Sequence, residues 1–308
     1  MFNQCARAIV NPAAGGHSMY GKWPDINRRL VSNGLSVDCV YTEGVGHAIE
    51  LAREAANIDF RYLIAVGGDG TVNEVVNGIL DSNNPHNTIL GIVSAGTTCS
   101  FARSLGIPLQ PMTSSGLLTS KKRLIIDVGM VEYRNEDKHL RRYFINEADI
   151  GFGATVVEAS KRIPNYFGRG INYIPYVLGG FSSLFSYKNK SISIRVEDEK
   201  EVSCVCMMVV IANGAYFGGG MSIAPEARPN DGQLDMILFG DMGKSETLKI
   251  WPMTYKGLHT RNPKVKWQKI REVVIKSEEK FLLEADGELL GEGPVSFSVL
   301  PSALTVVV

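Results

Sequence analysis

The stretch Leu63-Ile64-Ala65-Val66-Gly67-Gly68-Asp69-Gly70-Thr71-Val72-Asn73-Glu74-Val75-Val76-Asn77-Gly78 constrains this chain most. Residues 63–66 are an apolar run that reads as a buried strand, a glycine-rich turn follows, and Val72, Val75, Val76 and Ile79 recur at helical spacing. Such a strand, loop and helix turn backbone N–H groups toward an anion at the helix start, where the dipole favours negative charge. Phosphate fits this loop. Asp69 in its middle would repel a bare phosphate unless a cation or a transferable proton lay between them, which points to phosphoryl transfer over passive dinucleotide binding. A dinucleotide fingerprint needs glycine or alanine where Asn73 stands, and no Walker lysine follows. The one Gly-Lys-Ser, at Gly243-Lys244-Ser245, has Leu238 where the motif's first glycine belongs. A tight turn alone would need only two adjacent glycines.

At 308 residues the chain is long enough for about two domains, each with its own core. Its 32 basic and 32 acidic side chains cancel, so no global field draws it to nucleic acid or an anionic membrane, and any basic site is local. Cys5, Cys39, Cys99, Cys204 and Cys206 are odd in number and scattered, with no CxxC pair, which reads as reduced, cytosolic thiols. No apolar segment of signal-peptide length precedes Asn11-Pro12, and the longest uncharged stretch, 170–187, is broken by Asn172, Pro175, Gly179, Gly180 and several serines. A cytoplasmic chain with no transmembrane segment is expected.

Residues 6–10 read as a strand ending in the turn Asn11-Pro12-Ala13-Ala14-Gly15-Gly16, then Trp23, Ile26 and Leu30 mark a helix, 37–41 a second strand and 49–56 a second helix. After the central motif, 89–93 form another strand leading into Gly96-Thr97-Thr98-Cys99-Ser100-Phe101-Ala102-Arg103. Strands alternating with helices imply a parallel, doubly wound, Rossmann-like α/β domain, with the turns at Asn11, Thr42, Gly67 and Gly96 on one ligand-binding edge. The texture changes near Lys121-Lys122-Arg123, giving domains at 1–122 and 123–299. Short runs at 124–131, 142–145, 191–196, 204–212, 233–239, 272–276 and 281–285 predict a β-sandwich-like second domain. Residues 152–188 form an α-helical insertion rich in aromatics, among them Tyr166, Phe167, Tyr173, Tyr176, Phe181 and Phe185 beside Lys161, Arg162 and Arg169. This insertion reads either as a helix pair covering the sandwich or as an apolar groove with a basic rim for a lipid at a membrane surface.

Further constellations stand in the second half. Arg228-Pro229-Asn230-Asp231-Gly232-Gln233-Leu234-Asp235 gathers oxygen ligands in a tight turn, suited either to a hard cation such as magnesium or to local turn hydrogen bonds. Glu284, Asp286 and Glu288 alternate, which on a continuous strand puts three carboxylates on one face. His17, His47, His86, His139 and His259 show no metal-ligand spacing and read as surface or loop residues. Trp23, Trp251 and Trp267 read as packing residues, and the run 264–269 as a solvated edge.

Taken together, the ordered motifs resemble the diacylglycerol kinase and sphingosine kinase family of lipid kinases, in its soluble bacterial form. The resemblance spans essentially the whole chain: Asn-Pro-Ala-Ala-Gly at Asn11, Gly-Gly-Asp-Gly-Thr-Val-Asn-Glu at Gly67, Phe-Ala-Arg-Ser-Leu-Gly-Ile-Pro at Phe101, Ile126-Asp127-Val128-Gly129, residues 218–225, Asn-Asp-Gly-Gln-Leu-Asp at Asn230 and Asp286-Gly287-Glu288. It implies ATP- and magnesium-dependent transfer of the γ-phosphate to a lipid hydroxyl in a cleft between two domains, with the last strand, about 300–308, returning to the first domain. Carried over by position, Asn11, Thr42, Gly67, Gly68, Gly70, Thr71 and Thr97 line the nucleotide site with Glu288 nearby. Asp286 is then the candidate general base, and Asp69 acts with magnesium at the phosphates. Asp231, with the backbone carbonyls of Arg228 and Gln233, holds a second magnesium, with Asp127 linked to that network. A lipid at the membrane surface and a homodimer complete the implied partners. One segment departs from the pattern: where the family reads Gly-Thr-Gly-Asn-Asp-Phe-Ala-Arg, Thr98-Cys99-Ser100 replaces Gly-Asn-Asp, so an active kinase of altered selectivity is expected. Two alternatives compete with it: a nucleotide- and lipid-binding protein without catalysis, and a soluble-substrate kinase resembling NAD kinase.

Overall fold

A computed structural model of the chain describes residues 5–16, 18–58, 60–96, 98–135, 138–163 and 174–308. The chain divides into two compact units, Met1–Ile126 with Ser302–Val308, and Asp127–Pro301.

In the first unit β1 (Cys5–Val10), α1 (Met19–Ser32), β2 (Ser36–Tyr41), α2 (His47–Asn57), β3 (Tyr62–Gly67), α3 (Asp69–Leu80) and β4 (Ile89–Ser94) alternate, followed by the short α4 (Ser100–Ser104) and α5 (Pro111–Leu117). The strands lie in the order β2-β1-β3-β4, every pair parallel. The end of the chain completes the sheet, with Thr305 and Val306 parallel to Ile89 and Leu90 of β4. Parallel strands are covered on both faces, which is why β3 reads as an unbroken apolar run rather than an alternating one. Trp23, Ile26 and Leu30 of α1 pack on one face with Val10, Ile64 and Val66. Each such side chain contributes about 1.5–3 kcal/mol by leaving water. Helix α3 is buried from Thr71 to Ile79 on nearly every side. It lies against α2 so closely that a Cβ at Gly78 would stand 2.3 Å from the Ile49 carbonyl, so only glycine permits that approach.

The second unit comprises most of β5 (Arg123–Asn135), then β6 (Lys138–Phe144), β7 (Glu147–Gly151), α6 (Phe152–Lys161), α7 (Ile174–Ser186), β8 (Lys190–Val196), β9 (Val202–Ala212), β10 (Leu234–Gly240), α8 (Lys244–Thr254), β11 (Val265–Ile270), β12 (Glu272–Lys276), β13 (Leu282–Ala285) and most of β14 (Glu288–Val307). Antiparallel pairing runs β9 to β7, β13, β14, β12, β8 and back to β9, a closed circuit that removes free edges. Its interior holds Phe144, Ile150, Ile194, Val209, Phe281 and Phe297 among other apolar side chains. Strands β10 and β11 extend the sheet from β9.

Three sequence expectations are corrected. Glu284, Asp286 and Glu288 do not share a face, because Asp286 and Gly287, with φ of 47° and 83°, form a two-residue hairpin turn between Ala285 and Glu288. His259 is fully buried, with its ring stacked on Phe239 at 5.6 Å and its Nε2 donating to the Ile223 carbonyl at 2.9 Å. Lys269 lies on an edge strand as expected, yet its ammonium is turned onto Asp231 and Asp235 rather than solvated. Of the helical insertion, 152–161 and 174–186 are helical, and Tyr166, Phe167, Arg169 and Tyr173 lie outside the described residues.

Candidate active site

In the first unit the carboxyl ends of β1, β2, β3 and β4 carry the expected turns. Asn11 is pinned at the end of β1 by its N–H on the Val66 carbonyl at 2.9 Å, and its amide donates to Thr71 Oγ1 at 3.0 Å. That bond ties the first turn to the first turn of α3. Thr42 follows β2 and donates its N–H to the Val10 carbonyl at 3.0 Å. Gly67, Gly68 and Gly70 carry the chain from β3 into α3, and a Cβ on Gly96 would stand 2.6 Å from Gly68 Cα, so the loops after β3 and β4 meet glycine to glycine. Among the described residues, none outside its own helix turn lies within 4 Å of where a Gly70 side chain would start. The α3 N-cap, Gly68, has no side chain to satisfy the first-turn N–H groups. Thr97 lies outside the described residues.

Asp69 accepts three hydrogen bonds from residues 98–101, two of them from the segment that departs from the family pattern. Thr98 Oγ1 and the Ser100 N–H donate to Oδ2 at 2.8 and 2.9 Å, and the Phe101 N–H donates to Oδ1 at 3.1 Å. The carboxylate therefore caps α4, and a glycine at position 98 would have no hydroxyl to offer. Cys99 sits between these donors with φ of 44°, an uncommon conformation for a residue with a Cβ. Burial, with the Asp69 charge behind it, pushes its thiol up to about 11, so Cys99 is a packed thiol rather than a nucleophile. Glu74, a motif residue to which the sequence assigned no task, is buried and accepts the Gly46 and Ala48 N–H groups at 2.9 and 3.1 Å. It caps the start of α2 from a neighbouring helix.

In the second unit the hairpin turn presents Asp286. Its Oδ2 accepts the Ile145 N–H at 2.8 Å and its Oδ1 the Asn146 and Glu147 N–H groups at 2.9 and 3.2 Å. The turn is locked in return, as the Asp286 N–H donates to the Glu147 carbonyl at 2.9 Å. Asn213 holds the segment that holds Asp286: its amide donates to the Asp127 and Ile145 carbonyls at 3.0 and 3.1 Å, and its N–H to the Asn146 carbonyl at 2.8 Å. Glu288 pairs with Arg142 at 2.8 Å.

Behind the hairpin lies a group that the sequence reading missed. Glu147 and Asp149 point away from the core face of β7, Glu284 lies beside them on β13, and carboxylate oxygens of all three come within 4.8 Å of one another. All three are buried. Burial first, then the neighbouring carboxylates, pushes Glu147 and Glu284 well above the ordinary range, and burial raises Asp149 to about 6. The three carboxyls thus hold protons more tightly than free carboxyls do. Its signal in the sequence was the pattern Glu147-Ala148-Asp149-Ile150-Gly151, alternating acid and apolar, which reads as a strand with one wet face until both faces prove covered.

The turn expected to hold magnesium is filled by nitrogen donors. Asp231 Oδ1 accepts the Gln233 N–H at 3.2 Å and Oδ2 the Lys269 ammonium at 2.7 Å. Asp127 joins this turn, with Oδ2 accepting the Gly232 N–H at 2.7 Å and its own N–H on the Pro229 carbonyl at 2.6 Å. The side chains as they stand do not fit a divalent cation at Asp231.

The second unit also contains an apolar cavity of about 90 Å³. Phe152, Val156, Met207, Met208, Phe217 and Trp251 are among the side chains that line it.

Residues 6–131 match the family described as the diacylglycerol kinase catalytic domain, and residues 148–308 the YegS C-terminal NAD kinase beta sandwich-like domain. A chain built this way is a lipid kinase. It belongs to the diacylglycerol kinase family, in the form whose catalytic domain is followed by a YegS-type β-sandwich. A diacylglycerol kinase of Staphylococcus saprophyticus is 29% identical over 98% of this chain and 94% of its own length. One from Staphylococcus aureus is 29% identical over 95% and 88%. Among solved structures, a diacylglycerol kinase from Bacillus anthracis superposes with a TM-score of 0.74 at 21% identity, covering 99% of this chain and 96% of that one. A second Bacillus anthracis structure reaches 0.81 at 24% identity, covering 99% and 95%. At those identities the superpositions speak for the fold.

Proposed function

We propose that this lipid kinase transfers the γ-phosphate of ATP to the hydroxyl of diacylglycerol or a related long-chain lipid at a membrane surface. The observation that carries the reading is the Asp286 hairpin: a turn with two positive-φ residues fixes one carboxylate against three backbone N–H groups, as a proton acceptor must be fixed to meet a substrate hydroxyl. Asn11, Thr42, Gly67, Gly68, Gly70, Thr71 and Thr97 would line the nucleotide site of the first unit. The strand order β2-β1-β3-β4 supports this placement, because a doubly wound sheet reverses its winding between β1 and β3 and ligands bind at the strand ends there. The Asn11 and Gly67 turns stand at that point. Magnesium brought with the nucleotide would neutralise charge on the phosphates. Asp69 would face it with the acceptor capacity that its three hydrogen bonds leave, since a carboxylate offers about four acceptor positions.

The acyl chain would enter the cavity of the second unit. At about 90 Å³ it is small, but Met207, Met208 and Met221 line it, and methionine side chains rearrange readily. Leu178, Phe181 and Phe185 stand exposed along α7 at helical spacing, an apolar strip suited to lying on a bilayer. Among the described residues no helix is long and apolar enough to cross one. A cytoplasmic location with peripheral membrane association and a homodimer belong to the same proposal.

The test is transfer of labelled γ-phosphate from ATP to diacylglycerol, ceramide, a sphingoid base, monoacylglycerol and NAD offered in mixed micelles. Label in a long-chain lipid is expected. Label in NAD alone would establish the soluble-substrate kinase instead, and ATP binding with no transfer the non-catalytic reading.

A further inference from the structure

The turn at Asp231 is where the family resemblance implies a structural magnesium, and it is where this chain supplies a cation of its own. Antiparallel pairing of β10 with β11 sets Lys269 directly opposite Asp235, so the two side chains leave the sheet on the same face. Trp267, two residues earlier on β11, shares that face, and its indole N–H donates to Asp235 Oδ1 at 2.7 Å. The Lys269 ammonium then reaches Asp235 Oδ2 at 3.3 Å and Asp231 Oδ2 at 2.7 Å. Asp231 Oδ1 accepts the Gln233 N–H, and Asp127 Oδ2 accepts the Gly232 N–H. Every contact named on the three carboxylates of this turn therefore comes from an N–H donor. Magnesium needs a near-octahedral shell of oxygens at about 2.0–2.1 Å and sheds water reluctantly. An ammonium already on the Asp231 oxygen would repel it across a few ångströms. The side chain of Asp235 is 1% exposed, so its charge needs a permanent partner whether or not divalent ions are present.

We propose that the Lys269 ammonium takes the place of the structural magnesium at the Arg228–Asp231–Gln233 turn, so that the second unit keeps its structure without divalent cations. Magnesium would then be needed only with the nucleotide. The inference stands apart from the choice of lipid substrate, because its readout is thermal stability without nucleotide.

The experiment compares melting temperatures of the full chain in EDTA and across a magnesium titration, for the wild type, Lys269→Met, Lys269→Arg, Asp231→Asn and the double variant Lys269→Met with Asp231→Asn. The wild type and Lys269→Arg are expected to melt at the same temperature in EDTA as in magnesium. Lys269→Met is expected to melt lower in EDTA and to recover in a saturable way as magnesium enters the vacated position, a recovery that the double variant loses. A saturable gain by the wild type that Asp231→Asn abolishes would overturn the proposal. So would a Lys269→Met chain as stable as wild type in EDTA and indifferent to magnesium.

Discussion

Glu147, Asp149 and Glu284 illustrate how a residue's chemistry is decided by what covers it. Their carboxyls hold protons more tightly in the fold because burial penalises the charged form, and for Glu147 and Glu284 the neighbouring carboxylates add repulsion. In the unfolded chain the same groups ionise near pH 4. The folded state therefore binds more protons than the unfolded one between about pH 4 and the raised folded values, and stability is lost as pH rises through that window. For Asp149 alone, displaced to about 6, the loss is on the order of 3 kcal/mol. Glu284→Gln keeps the shape and a donor while removing one titrating group. Its melting temperature should fall less steeply with pH than the wild type's, so that the variant gains on the wild type from pH 5 upward, roughly the range over which these groups ionise. Parallel curves would mean that the triad does not retain its protons. His259 carries the opposite sign, since burial lowers its pKa and its neutral form is the one packed on Phe239.

At the scale of elements, the motif around Gly67 holds two helices besides its own. Asp69 caps α4 and Glu74 caps α2, so a run that the sequence presents as a phosphate loop also fixes the two neighbouring helix starts. Glu74→Ala removes the acceptor of one buried and one half-buried N–H group and should cost about 1–3 kcal/mol in chemical denaturation, with hydrogen exchange rising first at the α2 N-terminus. A cost under about 0.5 kcal/mol would mean that water replaces the carboxylate without loss. The alternation of strand and helix through Ser94 was legible because both patterns are periodic, and so were the runs that became β8, β9, β10 and β12. The hairpin at Asp286-Gly287 was not, although Asp-Gly is a strong turn signal, because the acids at 284, 286 and 288 mimic strand alternation. Strand β7 was missed although its acids and apolar residues alternate as a strand's do, and the burial of its acidic positions is a long-range fact that this pattern does not announce. Lys269 could be placed only by the β10 and β11 register, a long-range fact.

At the scale of the molecule, the chain is a lipid kinase made of two units, each closing its own core. In the first, Asp69 engages the Thr98-Cys99-Ser100 segment directly, so the departure from the family pattern is structured around the loop's own carboxylate. Candidate site residues from distant positions converge in small sets: Asn11 with Thr71 in the first unit, and Asp286 with residues 145–147 in the second. The candidate site residues were singled out from their chemistry, whereas the hydrogen bonds that position them, those of Asn213 above all, were legible only from the fold. In the proposed reaction Asp286 is the group that receives the lipid hydroxyl's proton. The most direct test is phosphate transfer from ATP to diacylglycerol by Asp286→Asn, measured beside its ATP affinity and melting temperature. A fall in turnover of about 10²–10⁴-fold with both other quantities held is the predicted result. Turnover close to wild type would contradict the assignment.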